Sequence, residues 1–107
     1  TVGPVNEADD TLVTRSSRMI APNFTGANLS GAVLRHVDFS YGRFSGANLS
    51  GASLKNANLA NADLSGADLT GADVSETNFE GANLTGAKGL DTLKGLSTAR
   101  NFDRALR

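Results

Sequence analysis

Residues 46–71 read GANLSGASLKNANLANADLSGADLTG, and the spacing inside this stretch decides the fold. Leu49, Leu54, Leu59, Leu64 and Leu69 stand five residues apart. Working outward in both directions, the same step continues without a slip. Leu, Phe or Val occupies positions 24, 29, 34, 39, 44, 49, 54, 59, 64, 69, 74, 79 and 84, thirteen in all. Two residues before most of them stands Ala, from Ala27 to Ala82. Between the two lies mostly an Asx residue: Asn23, Asn28, Asp38, Asn48, Asn58, Asp63, Asp68, Asp73, Asn78 or Asn83. The unit is A-(N/D)-L-x-G, with Ser or Thr common at x.

A period of five suits neither regular element. On an α-helix a step of five rotates by about 140°, which would spread Leu around every face. On a flat strand an odd step sends successive Leu to opposite sides. Short extended pieces joined by turns keep every Leu on one side. Leu and the Ala two before it then face inward. Asx, Ser/Thr and Gly face out or form the corner, where Gly tolerates positive φ and Asx bonds nearby backbone. The chain coils and the coils stack, with backbone groups pairing about 4.8 Å apart.

A longer period counts the sides. The corner is Gly at 26, 31, 46, 51, 66, 71, 81 and 86, and His36, Tyr41, Asn56, Asn61 and Glu76 elsewhere. The non-Gly corners 36, 56 and 76, and 41 and 61, recur every twenty residues. Four pentapeptides per coil therefore make a four-sided prism. A three-sided coil would need a period of fifteen, which positions 36, 51 and 66 do not obey.

These units resemble the pentapeptide repeat family over roughly residues 22–86. The resemblance implies a right-handed quadrilateral β-helix, and the handedness comes from it alone. The fold expected is an all-β solenoid of about three to four coils with a short C-terminal helical cap. Departures at the Ala position are Pro22, Val37, Gly42 and Thr77; at the Asx position they are Val33, Arg43 and Ser53. The expected inward columns are Phe24, Phe44, Leu64, Leu84; Leu29, Leu49, Leu69; Leu34, Leu54, Val74; and Phe39, Leu59, Phe79. A charge in any of them should prevent folding.

The chain divides into residues 1–21, 22–88 and 89–107. Residues 1–10 carry three acids and no base and read as a polar arm. Residues 11–21 read as a degenerate first coil, since Met19 keeps the phase, or as a short capping helix. Residues 89–107 have helical character, with Asp91 and Ser97 as N-caps. Leu93, Leu96, Phe102 and Leu106 would cover the last coil or serve as a docking or dimer surface.

Composition narrows the chemistry. The 107 residues hold one His and no Cys, and the net charge is −1. That removes disulfides and thiolate chemistry, and it argues against general nucleic-acid binding. No apolar run is long enough to span a membrane. No nucleophile system or phosphate loop is present, so no catalytic residue, cofactor or metal site is expected. Asp63, Asp68 and Asp73 fall on three different sides and make poor joint metal ligands. Sequons at Asn23, Asn28, Asn48 and Asn83 are by-products of the repeat. What stands out is one edge that departs from the consensus: Arg35, His36, Tyr41, Lys55, Asn56, Asn61 and Glu76. Tyr and Arg are enriched where proteins meet.

These residues point to a non-catalytic protein-binding or scaffold module, monomeric or dimeric through its C-terminal segment. The family resemblance adds two alternatives: a structural subunit docked on a larger, photosynthetic-membrane complex, and a DNA mimic acting on gyrase. The compartment stays open between the cytoplasm and the thylakoid lumen, the second of which the resemblance implies.

Overall fold

The computed structural model describes Val5–Asn6, Thr11–Leu12 and residues 21–107. Val5–Asn6 (β1) and Thr11–Leu12 (β2) form an antiparallel pair with Val5 opposite Leu12. The rest of the expected polar arm, and the coil expected around Met19, lie outside the described residues.

From residue 23 the chain is a solenoid. Parallel bridges join Asn23 to Arg43, Asn28 to Asn48, Val33 to Ser53 and Asp38 to Asn58, and the offset of twenty persists to Asp68–Lys88. With five residues to a side, that offset gives four sides per coil. Four faces result, each named by its column of bridged residues. Face 1 carries Asn23, Arg43, Asp63, Asn83 and Leu106; face 2 carries Asn28, Asn48, Asp68 and Lys88. Face 3 carries Val33, Ser53, Asp73 and Lys94; face 4 carries Asp38, Asn58, Asn78 and Arg100.

One bonding rule repeats on every side. The Leu29 N–H donates to the Asn48 carbonyl at 2.7 Å, and the Asn48 N–H donates to the Ala27 carbonyl at 2.9 Å. Each corner closes on itself: the Ala32 N–H donates to the Leu29 carbonyl at 3.0 Å. The third residue of that turn is Gly31 at φ +69, as a type II turn requires. The expected non-Gly corners take the same conformation, with φ 65 at His36, 63 at Tyr41, 60 at Asn56, 61 at Asn61 and 57 at Glu76. The outward Asx braces the turn. Asn48 Oδ1 accepts from the Ser50 N–H at 3.0 Å and from Ser50 Oγ at 2.7 Å. The repeat therefore spells sequons because Asx and Ser/Thr two residues later share one hydrogen-bonding job.

The core is the axis of the prism. All thirteen expected inward residues are buried except Phe24, which is half-buried and packs on the rest. Two departures from the Ala position have clear causes. Thr77 is fully buried and its hydroxyl donates to the Leu54 carbonyl at 2.6 Å, so the polar atom is satisfied. Gly42 makes room for three phenylalanines. Phe24 stacks on Phe44 at 5.3 Å, and Phe39 meets Phe44 edge-on at 5.2 Å. A Cβ at position 42 would lie 2.7 Å from the Phe44 ring and 2.8 Å from the Phe39 carbonyl oxygen.

The C-terminal segment departs from the helical cap expected over 89–107. The bridges continue through it with offsets that grow by one at each side: Asp73–Lys94, Asn78–Arg100 and Asn83–Leu106. Its sides are six residues long, and the extra residue is taken up by 3₁₀ turns at Leu90–Thr92 (η1), Leu96–Thr98 (η2) and Phe102–Arg104 (η3). The segment is thus a further coil of the solenoid. The residues before these turns, Gly89, Gly95 and Asn101, are left-handed at φ 77, 74 and 58. They break any continuous helix and take the capping place expected of Asp91 and Ser97. Apolar residues three apart suggested a helix, yet a six-residue side spaces Leu90 and Leu96 equally well.

Candidate functional site

Among the described residues no group of His, Cys, Asp and Glu is arranged to hold a metal ion. What can be built from the residues upward is a surface, and it belongs to face 4. The corner columns on either side of face 2 are all Gly, whereas face 4 lies between the two non-Gly columns. His36, Asn56 and Glu76 form one: the His36 N–H donates to the Lys55 carbonyl at 3.0 Å, and the Asn56 N–H to the Ser75 carbonyl at 3.0 Å. Tyr41 and Asn61 form the other, the Tyr41 N–H donating to the Ala60 carbonyl at 2.9 Å. Arg35 and Lys55 sit beside the first column in successive coils. The structure thus brings Arg35, His36, Lys55, Asn56 and Glu76 together along one edge. It sets Tyr41 and Asn61 one side further round.

Exposure differs along this edge. Tyr41 is 65% exposed. His36, Lys55, Asn61 and Glu76 are exposed, while Arg35 and Asn56 are half-buried. Asn61 has a local task as well. Its side-chain oxygen occupies the space that a Cβ on Gly81 would need, so a larger residue there would displace the Asn61 amide.

Between the corners, face 4 carries an amide ladder. Asn58 Nδ2 donates to Asp38 Oδ1 at 3.3 Å, Asn78 Nδ2 to Asn58 Oδ1 at 3.3 Å, and Asn101 Nδ2 to Asn78 Oδ1 at 2.9 Å. Sequence reading missed it, because Asx fills most columns. The spacing of Asn58 and Asn78 is no distinctive sign, since Asn28 and Asn48 stand twenty apart on face 2 as well.

Charge is banded along the axis. Residues 23–62 hold Arg35, Arg43 and Lys55 against Asp38. Residues 63–82 hold Asp63, Asp68, Asp73, Glu76 and Glu80 and no base. The final coil is basic again. Hydrogen bonds from the Ser65 hydroxyl and then its N–H hold the Asp63 carboxyl below its ordinary pKa, and Arg43 adds to this. Thr70 does the same for Asp68, helped by Lys88. Ser75 does so for Asp73, helped by Lys55 and Lys94. Burial opposes the shift in all three. Arg104 reaches Glu80 at 3.4 Å, both groups well exposed.

The expected docking residues of the C-terminal coil divide. Leu93 and Phe102 pack against the core, Phe102 meeting Phe79 edge-on at 5.2 Å. Leu96 and Leu106 are 37% and 62% exposed. Sequence reading also missed Thr92 and Thr98. Their hydroxyls accept the corner N–H groups of Gly71 at 2.8 Å and Glu76 at 3.3 Å, which elsewhere go to a carbonyl of the next coil. Their six-residue spacing, in step with Gly89 and Gly95, was the available sign.

A search of curated proteins with this sequence gives no match. Solved structures do resemble it. A pentapeptide repeat protein of the cyanobacterium Cyanothece is 29% identical, with a TM-score of 0.47, over 78% of this chain and 56% of its own. One from the thylakoid lumen of Arabidopsis thaliana is 32% identical, with a TM-score of 0.40, over 87% of this chain and 66% of its own. HetL, a pentapeptide repeat protein involved in heterocyst differentiation regulation in Nostoc, is 30% identical, with a TM-score of 0.27, over 82% and 46%. The chain therefore spans 46% to 66% of the length of these relatives. The model of pentapeptide repeats matches residues 18–51 and 47–86 in 8 copies. With that match over most of its length and a twenty-residue bridge offset in its backbone, the chain belongs to the pentapeptide repeat family.

Proposed function

We propose that the protein is a non-catalytic binding module that contacts a protein partner through face 4 and the two edges that border it, Arg35, His36, Lys55, Asn56 and Glu76 on one and Tyr41 and Asn61 on the other. One observation carries this reading: Tyr41 is 65% exposed and adopts φ 63. A bulky side chain in the left-handed region is unfavourable, and a corner needs only Gly there. A large ring kept in water at a strained corner contributes little to folding, and such rings anchor interfaces. The rigid prism supports it, since backbone ladders fix every corner.

The test is a pull-down from the source cell with Arg35→Glu/Lys55→Glu. The double variant should lose the partner while its circular dichroism stays unchanged. Undiminished capture would remove the edge from consideration.

A second reading, a structural subunit docked through its C-terminal coil, is favoured by the exposure of Leu96 and Leu106. Gel filtration separates self-association through that end from a monomer. The DNA-mimic reading is disfavoured by the charge pattern. Cations in neighbouring coils face Asp63, Asp68 and Asp73, and Arg104 pairs with Glu80. An acidic belt neutralised this way presents no continuous negative rod.

A further inference from the structure

Each coil of the solenoid turns one row of backbone groups toward the coil above and another toward the coil below. Inside the stack both rows are met: the Val74 N–H donates to the Lys94 carbonyl at 2.8 Å, and the Lys94 N–H to the Ala72 carbonyl at 2.9 Å. At the two rims they are not. On the final coil the N–H groups of Gly89, Gly95 and Asn101 and the carbonyls of Ala87, Leu93 and Ala99 have no hydrogen-bond partner among the described residues. On the first coil the N–H and carbonyl groups of Asn28, Val33 and Asp38 have none among them either. Half-buried apolar residues lie behind each rim, Phe24, Ala27 and Ala32 at one end and Leu90, Leu93 and Phe102 at the other.

The two rims match. One bridge lies between successive corners, so a straight peptide could pair with one side alone, and only a chain that turns at the same corners can pair with them all. Every bridge of the solenoid is parallel, and the first coil of a second copy keeps that polarity when it lies against the final coil. On face 3 the Gly95 N–H then meets the Val33 carbonyl, and the Val33 N–H meets the Leu93 carbonyl; faces 2 and 4 repeat the match. Charge agrees with it. Lys88, Lys94 and Arg104 answer Asp68, Asp73 and Glu80 in the coil before them, but the exposed Arg100 side chain has no partner among the described residues. Asp38 stands at the far end of the same face 4 column, and its side chain bonds to Ser40 and Asn58 and to no cation among the described residues. Continuing the column sets Arg100 of one copy against Asp38 of the next.

Independently of the protein-binding reading above, we propose that copies of this chain stack end to end, the final coil of one on the first coil of the next, into a continuous prism. A contact between unlike surfaces does not close, so assembly runs past the dimer. In sedimentation of the 107-residue chain the mass should grow with concentration beyond two copies, and Arg100→Gln should weaken association about tenfold. The chain has no cysteine, so introduced thiols report the contact. Positions 38 and 100 lie three bridge steps apart in one chain, about 14 Å, so a disulfide between them must join two chains. On oxidation Asp38→Cys/Arg100→Cys should give a series of oligomers. A mixture of Asp38→Cys chains with Arg100→Cys chains should give dimers only, and neither single variant should crosslink by itself. Val33→Cys/Lys94→Cys, on face 3, should give the same series, with circular dichroism confirming the fold of each variant. A mass that does not change with concentration, a mixture that yields no dimers, or dimers from Arg100→Cys alone, which would show final coils meeting each other, would each overturn the proposal.

Discussion

The five-residue coils and the six-residue coil share one set of columns but close their corners by different means. In the first, the residue after each bridge is an inward Leu, Phe or Val, buried in every case but Phe24, and one left-handed residue makes the turn. In the second, the residue after the bridge is itself left-handed, at Gly89, Gly95 or Asn101, and a 3₁₀ turn completes the side. The difference teaches where stability resides. A five-residue side spends its central residue on the axis. A six-residue side spends it on the corner, so the final coil buries no residue fully and lays Leu90, Leu93 and Phe102 over the coil before it. The extra residue also displaces the carbonyls that would receive corner N–H groups, and Thr92 and Thr98 supply hydroxyls instead.

The largest effect should separate the two regions outright. Leu59→Asp places a charge on the axis and should abolish folding, whereas Leu96→Asp in the final coil should leave circular dichroism intact. In milder form, Leu59→Ala should cost about 3 kcal/mol and Leu96→Ala under about 1 kcal/mol, read from denaturant midpoints. Next comes the corner chemistry. Gly46 has open space around its would-be Cβ, so Gly46→Ala should cost only the left-handed strain, about 1 kcal/mol. A Cβ at Gly89 would sit 2.7 Å from the Thr70 backbone nitrogen, so Gly89→Ala should cost at least about 2 kcal/mol. Equal losses at the two positions would contradict the contrast.

Smaller still is the hydroxyl substitution. Thr92→Val keeps the shape but removes the acceptor of the Gly71 N–H, and should cost about 1 kcal/mol. The least effect is electrostatic. Asp63, Asp68 and Asp73 have folded pKa values below their unfolded ones, so the unfolded chain binds more protons. Their contribution is therefore complete above about pH 4 and is lost as pH falls further, through their lowered folded values. Denaturant midpoints should drop as pH falls below about 4, and the triple Asp→Asn variant should flatten that slope. A slope unchanged by the substitutions would show that other groups set it.

Most of the solenoid was legible because one residue type repeated at one spacing. The period of five, the corner residues and the period of twenty fixed the side count and the inward columns, from Phe24 to Leu84. The non-Gly corners were legible as departures from that background. What escaped lay where the spacing changed. Leu90, Leu93 and Leu96 satisfy a helical spacing and a six-residue side alike, and only the paired Gly89 and Gly95, with Thr92 and Thr98, favour the second. The amide ladder of Asn58, Asn78 and Asn101 escaped for another reason. Asn also stands at that position on faces 1 and 2, and only stacking coils in register shows which amides meet.

The shared columns can be tested directly, because the chain has no cysteine to interfere. Two double variants should be oxidised in parallel, Asp73→Cys/Lys94→Cys and Asp73→Cys/Leu93→Cys. Bridged residues on adjacent coils lie about 4.8 Å apart, within disulfide reach. Ready crosslinking of the first pair and failure of the second would show the column stepping from 73 to 94 through a six-residue side. Crosslinking of 73 with 93 but not with 94 would contradict it, and with it the final coil described above.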